Sequence, residues 1–106
     1  MPASERVFWR GGRCTVWVSY TESGALHFSG HDLAAFGQPG YEYEYDITVE
    51  PGQFVALRDA LGVDANTDLL DAVCGRVDDI MPGGERAWLD RSGIPYAFST
   101  WHHPPD

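Results

Sequence analysis

The chain has 106 residues, of which 7 are Lys or Arg and 16 are Asp or Glu, for a formal net charge of −9. Every basic residue is Arg, and this charge balance opposes direct nucleic-acid binding and anionic membrane surfaces, both of which draw on Lys and Arg. The length suits one domain (core about 7–101, with 102–106 as a flexible tail), and the apolar content of 43 % is enough for one core.

The first apolar stretch, Val7-Phe8-Trp9-Arg10, predicts a short strand, with Gly11-Gly12 closing a hairpin to the next run. Residues 13–20 alternate: Cys14, Val16, Val18 and Tyr20 share one face, and Arg13, Thr15, Trp17 and Ser19 the other. Turn chemistry at 21–24 leads into a strand over 25–31. There Leu26, Phe28 and Gly30 face one way, and His27, Ser29 and His31 the other. A loop over 32–40 separates this strand from 41–49, YEYEYDITV. In that segment Tyr41, Tyr43, Tyr45, Ile47 and Val49 lie on one face, with Glu42, Glu44, Asp46 and Thr48 opposite them.

The period then changes from two to 3.6. Glu50-Pro51-Gly52 opens a helix with Phe54, Leu57 and Leu61 on its apolar side, and Gly62 ends it. Asn66-Thr67 is a candidate cap for a second helix, with Asp68 in its first turn. The apolar stripe of that helix is Leu69, Leu70, Val73, Cys74 and Val77. A third helix is expected over 85–92, closed by Gly93 and Ile94 in a Schellman ending before Pro95. Residues 96–101 form a last strand. This order predicts an α+β fold: an antiparallel sheet of four or five strands, a meander plus a C-terminal strand, with about three helices on one face.

An antiparallel pairing of His31 with Glu42, Ser29 with Glu44 and His27 with Asp46 keeps the apolar sides together; it is one of several registers of the right parity. The resulting polar face carries His27, Ser29, His31, Glu42, Glu44 and Asp46, with Trp17 as a large aromatic among them. Three uses compete for such a face. It can be a solvated sheet surface with cross-strand His–carboxylate pairs. It can dock a basic protein partner through Trp17, His27, His31, Glu42, Glu44 and Asp46, with the indole as anchor. A metal site is the third, but His27 and His31 sit about 13 Å apart by strand rise, too far for one ion. No metal or cofactor is therefore expected.

A small-molecule site or small enzyme is the alternative, in a cleft between sheet and helices lined by Tyr41, Tyr43, Trp88 and Tyr96. The chain has no G-x-S-x-G, P-loop, H-E-x-x-H or C-x-x-C motif, so no catalytic residues are assigned. Cys14 and Cys74 read as buried thiols, and a disulfide cannot be argued from two distant positions. No apolar run reaches the roughly 18 residues of a membrane span, and the N-terminus lacks a signal-peptide core. A cytoplasmic protein is the expectation.

The segments GHDL (30–33), YEYEYDITV (41–49), LRDALG (57–62), DLL (68–70) and SGIPYAF (92–98) together resemble a group of small acidic uncharacterised actinobacterial proteins. In size, charge and strand-then-helix order the chain is also similar to bacterial toxin-immunity proteins. That likeness implies a non-catalytic module that binds a basic protein.

Overall fold

The computed structural model describes residues 5–33, 38 and 40–104. Five strands form one antiparallel sheet: β1 (Arg6–Gly11), β2 (Cys14–Tyr20), β3 (Leu26–Asp32), β4 (Glu42–Val49) and β5 (Ala97–His103), in that spatial order. Four helices separate β4 from β5: α1 (Phe54–Leu61), α2 (Leu69–Cys74), α3 (Val77–Ile80) and α4 (Glu85–Arg91). The fold is α+β, as the change of period in the sequence predicts. The returning C-terminal strand takes the edge beside β4. Parts of the expected 32–40 loop (34–37 and 39) and of the tail (105–106) lie outside the described residues.

The core follows from the alternation. Val16, Val18, Leu26, Phe28, Ile47 and Val49 project from one face of the sheet and are at most 2 % exposed. They meet Leu57, Leu61, Leu69, Val73, Ile80 and Leu89 from the helices in one apolar cluster. The helices therefore cover this face, and the polar residues of β2, β3 and β4 point away from them.

Three local expectations are corrected. The β1–β2 turn is Gly12-Arg13 rather than Gly11-Gly12, because Gly11 still pairs with Cys14. Gly12 takes the left-handed conformation the turn needs, with φ 59°. Gly11 stays in the strand beneath the Trp9 indole, where a Cβ would come within 2.5 Å of the ring. A register shift between Val7 and Trp9 marks a bulge in β1. Phe8 beside it is buried, with its ring edge-on to Phe28 at 5.2 Å.

The second helix starts one residue late and breaks in two. Asp68 is its N-cap, accepting from the Asp71 amide at 3.1 Å. Asn66 and Thr67 instead hydrogen-bond to Asp64 in the preceding turn. The apolar stripe from Leu69 to Val77 spans two short helices because Gly75 is a poor helix former and Arg76 leaves helical geometry. The Arg76 guanidinium turns to the Leu61 carbonyl at the end of α1, 2.8 Å away, and satisfies an orphan acceptor there.

The end of α4 is as expected. The Ile94 amide bonds to the Leu89 carbonyl and the Gly93 amide to the Asp90 carbonyl, both Schellman bonds. Beyond it, β5 runs further than expected: His102 and His103, assigned to the tail, are its last two residues. They pair with Tyr43 and Glu42, so the alternation of β4 extends the ladder.

Candidate functional site

Strand β4 presents its carboxylates on the face opposite the core. The register of β3 on β4 is His27 with Thr48, Ser29 with Asp46 and His31 with Glu44. This is two residues from the expected register, a slip that keeps every side chain on its face. The expected His–carboxylate pairs form all the same, on the diagonal. His27 Nε2 lies 2.5 Å from Asp46 Oδ1, and His31 Nε2 lies 3.0 Å from Glu42 Oε1. From the other side, His103 Nε2 of β5 lies 3.0 Å from Glu44 Oε2. Each carboxylate of the β4 row thus holds one imidazole.

Two tryptophans flank the row. Trp17 of β2 pairs with Ser29, which pairs with Asp46. Trp101 of β5 sits opposite Glu44 and is 51 % exposed. The structure therefore brings all six predicted residues (Trp17, His27, His31, Glu42, Glu44 and Asp46) onto one face and adds Trp101 and His103. Trp101 lies within the expected last strand over 96–101; His103 falls beyond it, because residues 101–103 show no alternation of apolar and polar side chains. The Glu42 and Glu44 side chains are each 45 % exposed, so the row is reachable from solvent. Among the described residues, no group of three or more His, Cys, Asp or Glu is placed to hold a metal ion.

The other face of β4 carries the tyrosines. The Tyr45 ring lies across Gly30, its direct partner on β3, and a Cβ at that glycine would come within 2.0 Å of the ring. Held there, the Tyr45 hydroxyl donates to Glu85 Oε2 at 2.5 Å. Glu85 is the first residue of α4 and is 4 % exposed. Burial, then the adjacent Glu85 carboxylate, pushes the Tyr45 phenol far above its ordinary value. It remains a protonated donor, locking α4 to the sheet.

Beside this lock a cleft of about 440 Å³ opens between β4, β5 and α4. Tyr43, Tyr45 and Phe98 line its sheet side, and Glu85, Arg86 and Asp90 its helix side. The Arg86 guanidinium stacks 3.9 Å over the Phe98 ring and donates to the Tyr96 hydroxyl, which donates to Asp90. Of the four residues expected to line such a cleft, Tyr43 does so. Trp88 is buried in the core cluster, because it falls on the face of α4 that meets the sheet. Tyr96 braces Arg86 and Asp90, and Tyr41 packs edge-on to His102 at 6.1 Å.

Cys14 and Cys74 are both free and partly buried. Burial pushes both thiols up, so neither has the thiolate character of a nucleophile. No described helix is long and apolar enough to cross a membrane. Compared with known proteins, the chain matches no family model, no curated protein and no solved structure.

Proposed function

We propose that the chain is a non-catalytic cytoplasmic binding module whose acidic sheet face docks a basic protein, as an immunity protein or antitoxin does. The observation that carries this reading is the β4 row of Glu42, Glu44 and Asp46 between Trp17 and Trp101, on the face turned away from the helices. Carboxylates aligned in one row, in a chain of net charge −9, attract Lys and Arg from a distance and raise association rates. The indoles supply flat apolar surface on which an arginine can stack. The imidazoles hold the carboxylates in place, so less side-chain freedom is lost on binding.

The test is capture of a partner from lysate by the wild-type chain and by the Glu42→Lys/Glu44→Lys/Asp46→Lys variant, at roughly 50 and 300 mM salt. A basic protein retained by wild type, weakened at the higher salt and lost by the folded variant is the expected result. A partner indifferent to all three reversals overturns the reading. The 440 Å³ cleft favours a second reading, a small-molecule site against Tyr43, Tyr45 and Phe98. In that case a ligand raises the melting temperature of wild type and reversed variant alike.

A further inference from the structure

The two edge strands of the sheet differ in how they are defended. β1 carries a bulge between Val7 and Trp9 and two arginines, Arg6 and Arg10, and Arg6 is tied to Asp71 of α2. These are the devices that keep an edge from pairing with another chain. β5 has no bulge and no arginine of its own, and its contact with an arginine of α4 is on its face, where Arg86 stacks over Phe98, not on its open edge. Its seven residues, AFSTWHH, include no Asp, Glu, Lys, Arg, Gly or Pro. Its pairing with β4 is unbroken from Ala97 to His103, and every one of its residues is exposed. No described strand pairs with its outer side, and Phe98 and Trp101 are 36 % and 51 % exposed. Pro95 and Pro104 bracket the strand, so the open segment has a defined length.

We propose that β5 is a self-association surface: two copies of the chain pair β5 against β5, antiparallel, about a two-fold axis at Thr100. The two five-stranded sheets then become one sheet of ten. The register is self-complementary. Thr100 faces Thr100 of the second copy, Ser99 faces Trp101, Phe98 faces His102 and Ala97 faces His103. Residues of one parity meet residues of the same parity, so the helix-covered faces lie on one side and the acidic faces on the other. Thr–Thr and aromatic cross-strand pairs are favourable, and no acid opposes an acid.

The edge itself carries no Asp, Glu, Lys or Arg, so it suits a second copy of the same edge better than a basic strand. A Lys- or Arg-rich strand finds no carboxylate on β5; its complement is the β4 row on the sheet face. Two copies of net charge −9 repel overall, but their β4 rows would be three strand spacings apart, about 14 Å. That exceeds the Debye length of about 8 Å at physiological salt, so the repulsion is largely screened. This inference is independent of what the acidic face binds.

The solution mass of the full chain, by light scattering and sedimentation, tests it. Wild type is expected at twice the chain mass of 11.7 kDa. Thr100 is exposed, so Thr100→Lys and Thr100→Glu leave the fold intact, but each sets like charges against each other across the axis. Each variant alone is expected at 11.7 kDa, and an equimolar mixture is expected to regain the doubled mass. Wild type that stays at 11.7 kDa across about 1 µM to 1 mM overturns the proposal, whatever other strand the edge accepts. So does a dimer unaffected by either variant, or a mixture that remains monomeric. Should the variants misfold, amide exchange of wild type decides. Outward-facing β5 amides that slow as concentration rises support the dimer, and concentration-independent exchange refutes it.

Discussion

The β1–β3 side of the sheet and the β4–β5 side are built differently. On the first, Phe8, Val16, Val18, Leu26 and Phe28 are at most 5 % exposed, and α2 is pinned across two strands. Arg6 of β1 bonds to Asp71. Tyr20 of β2 donates to Asp68 at 2.8 Å and accepts from the Leu69 amide at 3.1 Å. On the second, β5 has no buried residue and β4 is buried only at Ile47 and Val49. The Trp101 indole, the carboxylate row and one strand edge face outward. The lesson is a division of labour. One side carries most of the buried sheet residues, and the other anchors the core through Ile47, Val49 and the Tyr45–Glu85 bond while its remaining surface is open.

The sharpest way to break this comparison is a pair of truncations. Leu26→Ala in the closed side removes a fully buried side chain, for an expected loss of about 2–5 kcal/mol. Phe98→Ala in the open side is expected to lose about 1–2 kcal/mol, since its ring is partly solvated already. Denaturant titration of both variants checks this, and equal losses would show that stability is spread evenly. Gly30→Ala tests the seam between the sides. The new methyl has no room beneath Tyr45, so a loss of about 1–3 kcal/mol is expected. The displaced phenol would also release Glu85, and α4 amides should exchange faster than in wild type.

The smallest effect sharpens the account of the clamp. Asp68→Ala removes the α2 cap and should cost about 1 kcal/mol at neutral pH. Burial raises the Asp68 carboxyl, but the Tyr20 hydroxyl, the Asp71 amide and Arg6 outweigh it and hold it below its ordinary value. A carboxyl lowered in the folded state adds stability above its unfolded value, near 4, and loses it as pH falls through the folded value. The gap between wild type and Asp68→Ala should therefore narrow below about pH 4. A gap that widens in acid would show that the clamp is not electrostatic.

Much of this arrangement was legible in the residues. Alternation places Val16, Val18, Leu26, Phe28 and Ile47 on the covered face and the β4 acids on the other, because side-chain parity is a local property of a strand. Gly93-Ile94-Pro95 spells out the end of α4 for the same local reason. What was illegible depends on partners distant in sequence. Parity leaves registers two residues apart equivalent, so His27 could be assigned to Asp46 without knowing that it sits opposite Thr48. The break at Gly75 is hidden by a stripe that carries on through Val77, and only the carbonyl of Leu61 explains where Arg76 goes. His103 joins the carboxylate row through a strand 59 residues from Glu44, which no short window connects.

The insertion of every described helix between β4 and β5 also has a kinetic consequence. Strands β1 to β4 form a meander of neighbouring hairpins, which can zip up one turn at a time. β5 has no such route, since its partner on β4 lies across the whole helical segment. Closing that loop is entropically costly until α1 to α4 have condensed and shortened the effective span. β5 should therefore dock last, with its contacts absent from the rate-limiting barrier. Substitutions in it would speed unfolding while leaving the folding rate almost untouched.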